Sequence, residues 1–113
     1  MKKLVFLIIF LSFTIVFAAD TKWIGAISGL NMRENPDITS KKIVTIPFTE
    51  QITVLETKSE ELFLAGEYGH WSKVKWNNYE GWVFSGLLKD FNVKEFKTFA
   101  LQYLNEMYKQ SFS

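Results

Sequence analysis

The sequence predicts a small, mainly β domain, a barrel of short strands followed by an amphipathic α-helix. Three observations lead there. Residues 71–88, WSKVKWNNYEGWVFSGLL, alternate with period 2 on both sides of Asn77-Asn78. The stretches before them are short β-prone runs, each bounded by Gly, Pro, Asn or Ser, with no helical period between them. After Leu88 the apolar residues change to the period of a helix.

In the first arm of the hairpin Ser72, Val74 and Trp76 take one face and Trp71, Lys73 and Lys75 the other. In the second arm Tyr79, Gly81 and Val83 stand opposite Glu80, Trp82 and Phe84. Val74 and Val83 are therefore expected as the cross-strand pair that faces the core. Asn tolerates positive φ better than any residue but Gly, so Asn77-Asn78 is expected to form a type I′ turn.

Taken from the start, Met1-Lys2-Lys3, the apolar run Leu4 to Phe17 and Ala18-Ala19-Asp20 have the three parts of a secretory signal peptide covering residues 1–18, with Val16 and Ala18 as the small residues before the cut. The rival reading, a retained membrane anchor, needs ~20 apolar residues and the run is shorter. Export to the periplasm or the extracellular space follows, with no stable membrane insertion after cleavage. Loss of Lys2 and Lys3 leaves 95 residues with 11 basic and 12 acidic side chains, and so no basic footprint for nucleic acid. The absence of cysteine excludes disulfides, thiol chemistry and a lipid-bearing cysteine. A chain of this size has one compact core, covering residues 19–89 here.

Trp23 to Ile27 is expected as a first strand, broken by Ser28-Gly29. Leu30 and Met32 point inward from a second, with Asn31 and Arg33 outward. Asn35-Pro36-Asp37 is a turn. Lys42 to Ile46, ended by Pro47, and Gln51 to Glu56 are further strands.

LNMRENP, IPFTEQITVLE and WSKVKWNNYEGWVFSGLL, in that order, resemble the bacterial Src-homology-3 (SH3) domain family, over residues 28–88. The resemblance implies a five-stranded SH3-like barrel and a non-catalytic module of an exported protein that binds peptides or cell-wall material. It also places Trp71 at a ligand groove. Four features depart from the family pattern. Thr49 stands where Gly is usual, Leu87 where Tyr is usual, and Phe84 where the eukaryotic groove has Pro. Without the tyrosine the aromatic pair that grips a polyproline helix is incomplete, which argues against proline-rich recognition. The fourth is the long stretch Thr57 to His70, whose Leu62-Phe63-Leu64 is too apolar for a free loop and is expected to extend a strand or fold down on the barrel.

In residues 90–113 Phe96, Phe99, Ala100, Tyr103, Leu104, Met107 and Tyr108 form an amphipathic stripe. Asn92 and Glu95 make a capping box, and Phe91 with Phe96 a hydrophobic staple, so a helix is expected from Asn92 to about Lys109. So much apolar surface is expected to pack on the barrel; the alternative is that it docks a partner or a second copy.

With one histidine, His70, and no cysteine, transition-metal sites and His-based triads lack their ligands, and no phosphate-binding loop is present. The sequence thus implies no catalytic residue, metal or cofactor. Candidate ligand-binding residues are Trp71, Tyr68, Trp76, Tyr79 and Trp82 on the hairpin or its approach, and Arg33, the only arginine. Each has a structural alternative: the rings as cover for the barrel, Arg33 as the tie of its loop through a carboxylate such as Glu34 or Glu80. The function read from the sequence is a binding module holding a peptide, peptidoglycan or an envelope protein near Trp71. The alternative is an interaction or structural module working through the helix.

Overall fold

The computed structural model describes residues 20–111, so the signal peptide expected at 1–18 lies outside the described residues. The elements, in chain order, are β1 (Asp20–Ile24), β2 (Leu30–Arg33), β3 (Lys42–Ile46), β4 (Gln51–Thr57), β5 (Leu62–Leu64), β6 (Glu67–Gly69), β7 (Trp71–Trp76), β8 (Tyr79–Phe84), β9 (Leu88–Lys89) and α1 (Val93–Ser111). The bounds of β3, β7 and β8 match the pattern read from the sequence. The first strand lies three residues earlier than expected, because Asp20 to Trp23 pair with Val54 to Gln51 while Gly25 onward turns away.

All strand pairs are antiparallel, in one seven-stranded sheet of order β3-β2-β8-β7-β4-β1-β9 and a separate β5-β6 hairpin. A closed five-stranded barrel is not what forms. Among the described residues strands β3 and β9 are the edges of an open sheet, the 57–70 stretch builds two strands of its own, and Leu88-Lys89 adds a short strand beside β1.

Inward side chains from six strands, Ile24, Leu30, Met32, Ile46, Ile52, Val74 and Val83, meet in one core, each 5% exposed or less. Ser72 joins them, fully buried, and its hydroxyl is satisfied by the Thr57 hydroxyl at 2.9 Å. The hairpin register corrects one expectation. The two-residue loop opposes Trp76 to Tyr79, so Val74 lies opposite Gly81 and Val83 opposite Ser72; the two valines share the core face as diagonal neighbours. Gly81 is needed at its place, since a Cβ there would stand 2.7 Å from both the Arg33 carbonyl and Met32 Cγ, where β2 crosses. In the loop only Asn77 has positive φ (53°), so the turn is not type I′.

Thr49 holds φ 76°, in the left-handed region that favours Gly, and its N–H donates to the Ile24 carbonyl at 3.0 Å. A β-branched residue there carries backbone strain of about 1–2 kcal/mol.

The start of α1 follows its local code: Asn92 Oδ1 accepts from the Glu95 N–H at 3.2 Å, and the Phe91 and Phe96 rings meet at 5.3 Å. The expected burial of its stripe on the sheet is not observed. Within α1 only Val93 is buried, and Phe96, Phe99, Tyr103 and Met107 are 49–68% exposed. Near the start of the helix Lys97 Nζ sits 5.7 Å from the Phe48 ring centroid.

Candidate binding groove

The outward face of β7 and β8 begins with Trp71 opposite Phe84, ring edge to ring face at 6.3 Å. Two structures rise on either side of this pair. One is the loop between β2 and β3. Arg33 Nη1 donates to the Ser40 carbonyl at 2.9 Å, the Glu34 N–H donates to the Lys41 carbonyl at 3.0 Å, and the Asn35 N–H donates to the Ser40 hydroxyl at 2.9 Å. Asp37 accepts from both the backbone N–H and the hydroxyl of Thr39 at 2.8 Å. These two bonds, with the Arg33 charge as a smaller contribution, hold the Asp37 carboxyl below the usual carboxylate range. The loop so tied presents Ile38, 58% exposed, at the groove.

The other wall is the β5-β6 hairpin, turned at Ala65 (φ 53°) and Gly66 (φ 80°). Gly69 brings its base against Gly86 so closely that a Cβ would lie 2.4 Å from the Gly86 nitrogen. Next to that contact the His70 N–H donates to the Ser85 hydroxyl and the Ser85 N–H to the His70 carbonyl, both at 2.8 Å. Strand alternation sends Leu62 and Leu64 toward Trp71 and Phe63 outward, where its ring meets Tyr68 at 4.8 Å.

Two adjoining depressions of about 280 and 200 Å³ share Trp71, Ile38 and Leu64. Leu62, Glu60 and Asp37 line the first; Phe84, Leu87 and Arg33 line the second. The result is one apolar cleft with charge at its rim, able to hold a short extended chain by side-chain insertion and rim hydrogen bonds. A separate cavity of about 280 Å³ lies beside β1, lined by Lys22, Asp90, Ser72 and Thr57 among others. Its ammonium is already engaged: the hydrogen bond to Asp90 raises Lys22 above the ordinary lysine value.

A family model for the bacterial SH3 domain matches residues 28–89, more than half of the chain. The chain belongs to the bacterial SH3 domain family. Searches of curated proteins and of solved structures returned no match. The matched span runs from just before β2 through β9, so every wall of the cleft belongs to the SH3 domain and α1 lies beyond it. Membership of this family points to a binding module.

Of the residues named from the sequence, the SH3 domain brings Trp71 and Arg33 to the cleft, with Trp71 only 8% exposed. Arg33 ties the loop through a carbonyl, while Glu34 pairs with Lys41 and Glu80 with Lys73. Trp82 lies opposite Arg33 and Lys73 on the same outward face and carries Lys58 Nζ at 5.2 Å. Tyr68 is on the outer side of β5-β6. Trp76 and Tyr79 stack at 5.9 Å at the far end of the hairpin. Besides Asp37 and Glu60 at the rim, the cleft residues that sequence reasoning did not name as a site include Ile38, Leu62, Leu64, Phe84 and Leu87. The signal for four of them was present, for Leu62 and Leu64 in the apolar 62–64 run and for Phe84 and Leu87 in their departures from the family pattern.

Proposed function

We propose that this SH3 domain is an exported, non-catalytic module that takes a peptide or a cell-wall fragment, peptidoglycan in particular, into the cleft over Trp71. The observation that carries the reading is the pairing of an apolar floor, Trp71 and Phe84, with a rim of Arg33, Asp37 and Glu60. An extended, amide-rich ligand has the matching chemistry: small apolar side chains for the floor, carboxylate and amide groups for the rim.

Pull-down on purified peptidoglycan tests it. Ile38→Glu changes an exposed side chain of the cleft and is expected to weaken retention at least about tenfold, ~1.4 kcal/mol. Tyr79→Ala, at the far end of the sheet, is expected to leave retention unchanged. Equal retention of the parent and Ile38→Glu would remove the cleft from the proposal.

Export is proposed on Lys2-Lys3, the apolar run and Ala18. Among the described residues no helix is long and apolar enough to cross a membrane. Intact mass of the protein recovered from the cell envelope or the medium is expected to correspond to a chain beginning at Ala19; a chain retaining Met1 would refute export by cleavage.

A second reading, an interaction module working through α1, is favoured by the exposure of its apolar face.

A further inference from the structure

We propose that α1 is a dimerisation helix, whose occupant is α1 of a second copy of this chain in antiparallel orientation. The inference rests on the second reading above and is independent of what the cleft binds.

Placed on a helical wheel, Phe99, Tyr103, Phe96, Met107, Ala100 and Leu104 follow one another around a contiguous face with no charged residue inside it. The five large side chains are 49–68% exposed and together present on the order of 700 Å². A stable interface buries ~800 Å² on each partner, so a second copy would have to cover this face nearly whole together with its flanking residues. The character of the face chooses between occupants. An uncharged surface offers nothing to an acidic or basic partner. Outside this face Lys94, Lys97 and Lys109 stand against Glu95 and Glu106, an excess of one positive charge, short of the Lys- and Arg-rich polar face that draws a helix to an anionic lipid surface.

Self-complementarity supports the second copy. Phe96, Ala100, Tyr103 and Met107 recur at the alternating spacings of four and three of a two-helix seam. In antiparallel register Phe96 lies opposite Met107 of the second copy, and Ala100 opposite its Tyr103. Each pair then joins a ring to a small or pliable side chain. A parallel pair would instead oppose Phe96 to Phe96 and leave a gap at Ala100. It would also bring both sheets to the same end, whereas the antiparallel pair keeps them apart and aligns the helix dipoles favourably.

The test uses the protein recovered after expression of the full sequence. Sedimentation is expected to give the mass of two chains, and Ala100→Lys to halve it with tryptophan fluorescence of the sheet unchanged. Should Ala100→Lys fail to fold, Phe99→Glu, at an exposed edge of the same face, is expected to halve the mass in its place. The absence of native cysteine gives a direct reading of orientation. Phe96→Cys protein mixed with Met107→Cys protein is expected to form mainly the mixed disulfide on oxidation. The mass of one chain at every concentration overturns the proposal, as does capture of monomeric protein by lipid vesicles through the same residues. Only self-linked Phe96→Cys dimers would overturn the antiparallel arrangement. Peptidoglycan retention by the Phe99→Glu monomer is expected to persist, so failure of the dimer and failure of the cleft give different results.

Discussion

Trp71→Ala is expected to lower the stability of the domain by about 3–5 kcal/mol, the range for removal of a large buried ring. Although Trp71 is on the outward side of β7, it is 8% exposed, because Phe84 packs against it and the β2-β3 loop and the β5-β6 hairpin close over it. Domains of this size have about 5–15 kcal/mol in all, and each kcal/mol shifts the midpoint by about 4–8 °C. A urea titration monitored at the remaining tryptophans measures the effect; a loss under about 1 kcal/mol would mean that the ring is not packed as described. Loss of binding in Trp71→Ala therefore reports unfolding as much as recognition, and for this reason the exposed Ile38 is the better probe of the cleft.

Gly69→Val is expected to separate the β5-β6 hairpin from the sheet and abolish cleft binding while the sheet itself stays folded. A Cβ at this position would stand 2.4 Å from the Gly86 nitrogen and 2.8 Å from its Cα, and backbone has no rotamer by which to move away. The hairpin must shift by roughly an ångström or more, at a cost of about 1–3 kcal/mol. Leu62 and Leu64 move with it, and they are one wall of the cleft. Hydrogen exchange is expected to speed up in β5 and β6 and to stay slow in β7 and β8. Uniform acceleration through the sheet would show that the Gly69–Gly86 contact supports the whole fold and not the hairpin alone.

The cleft was partly legible before any coordinates. Trp71 entered through the family resemblance, and the 62–64 run announced by its apolarity that it must cover something. Strand alternation then explains why Leu62 and Leu64 face the cleft while Phe63 and Tyr68 do not. Trp76 and Tyr79 were drawn into the candidate site by their nearness to Trp71 in sequence. A strand rises about 3.3 Å per residue, and the five steps from Trp71 to Trp76 carry the stacked pair to the opposite end of the sheet. Ile38 had no signal of its own, since what points it at the cleft is the set of bonds that Arg33, Asn35 and Asp37 make within their loop.

What the sequence by itself determined are features with causes a few residues long. The bounds of β3, β7 and β8 follow from alternation and from the Pro and Asn residues that stop it, and the start of α1 from Asn92, Glu95 and the Phe91–Phe96 contact. The tertiary structure alone decided what depends on residues far apart in the chain. It opposed Val74 to Gly81 under the crossing of β2, left β3 and β9 as edges instead of closing a barrel, and built the cleft from the 34–41 loop and a hairpin that meet only in space. The course of α1 belongs with these. Its apolar stripe requires a partner, but a stripe carries no address, and that face is left uncovered by the sheet.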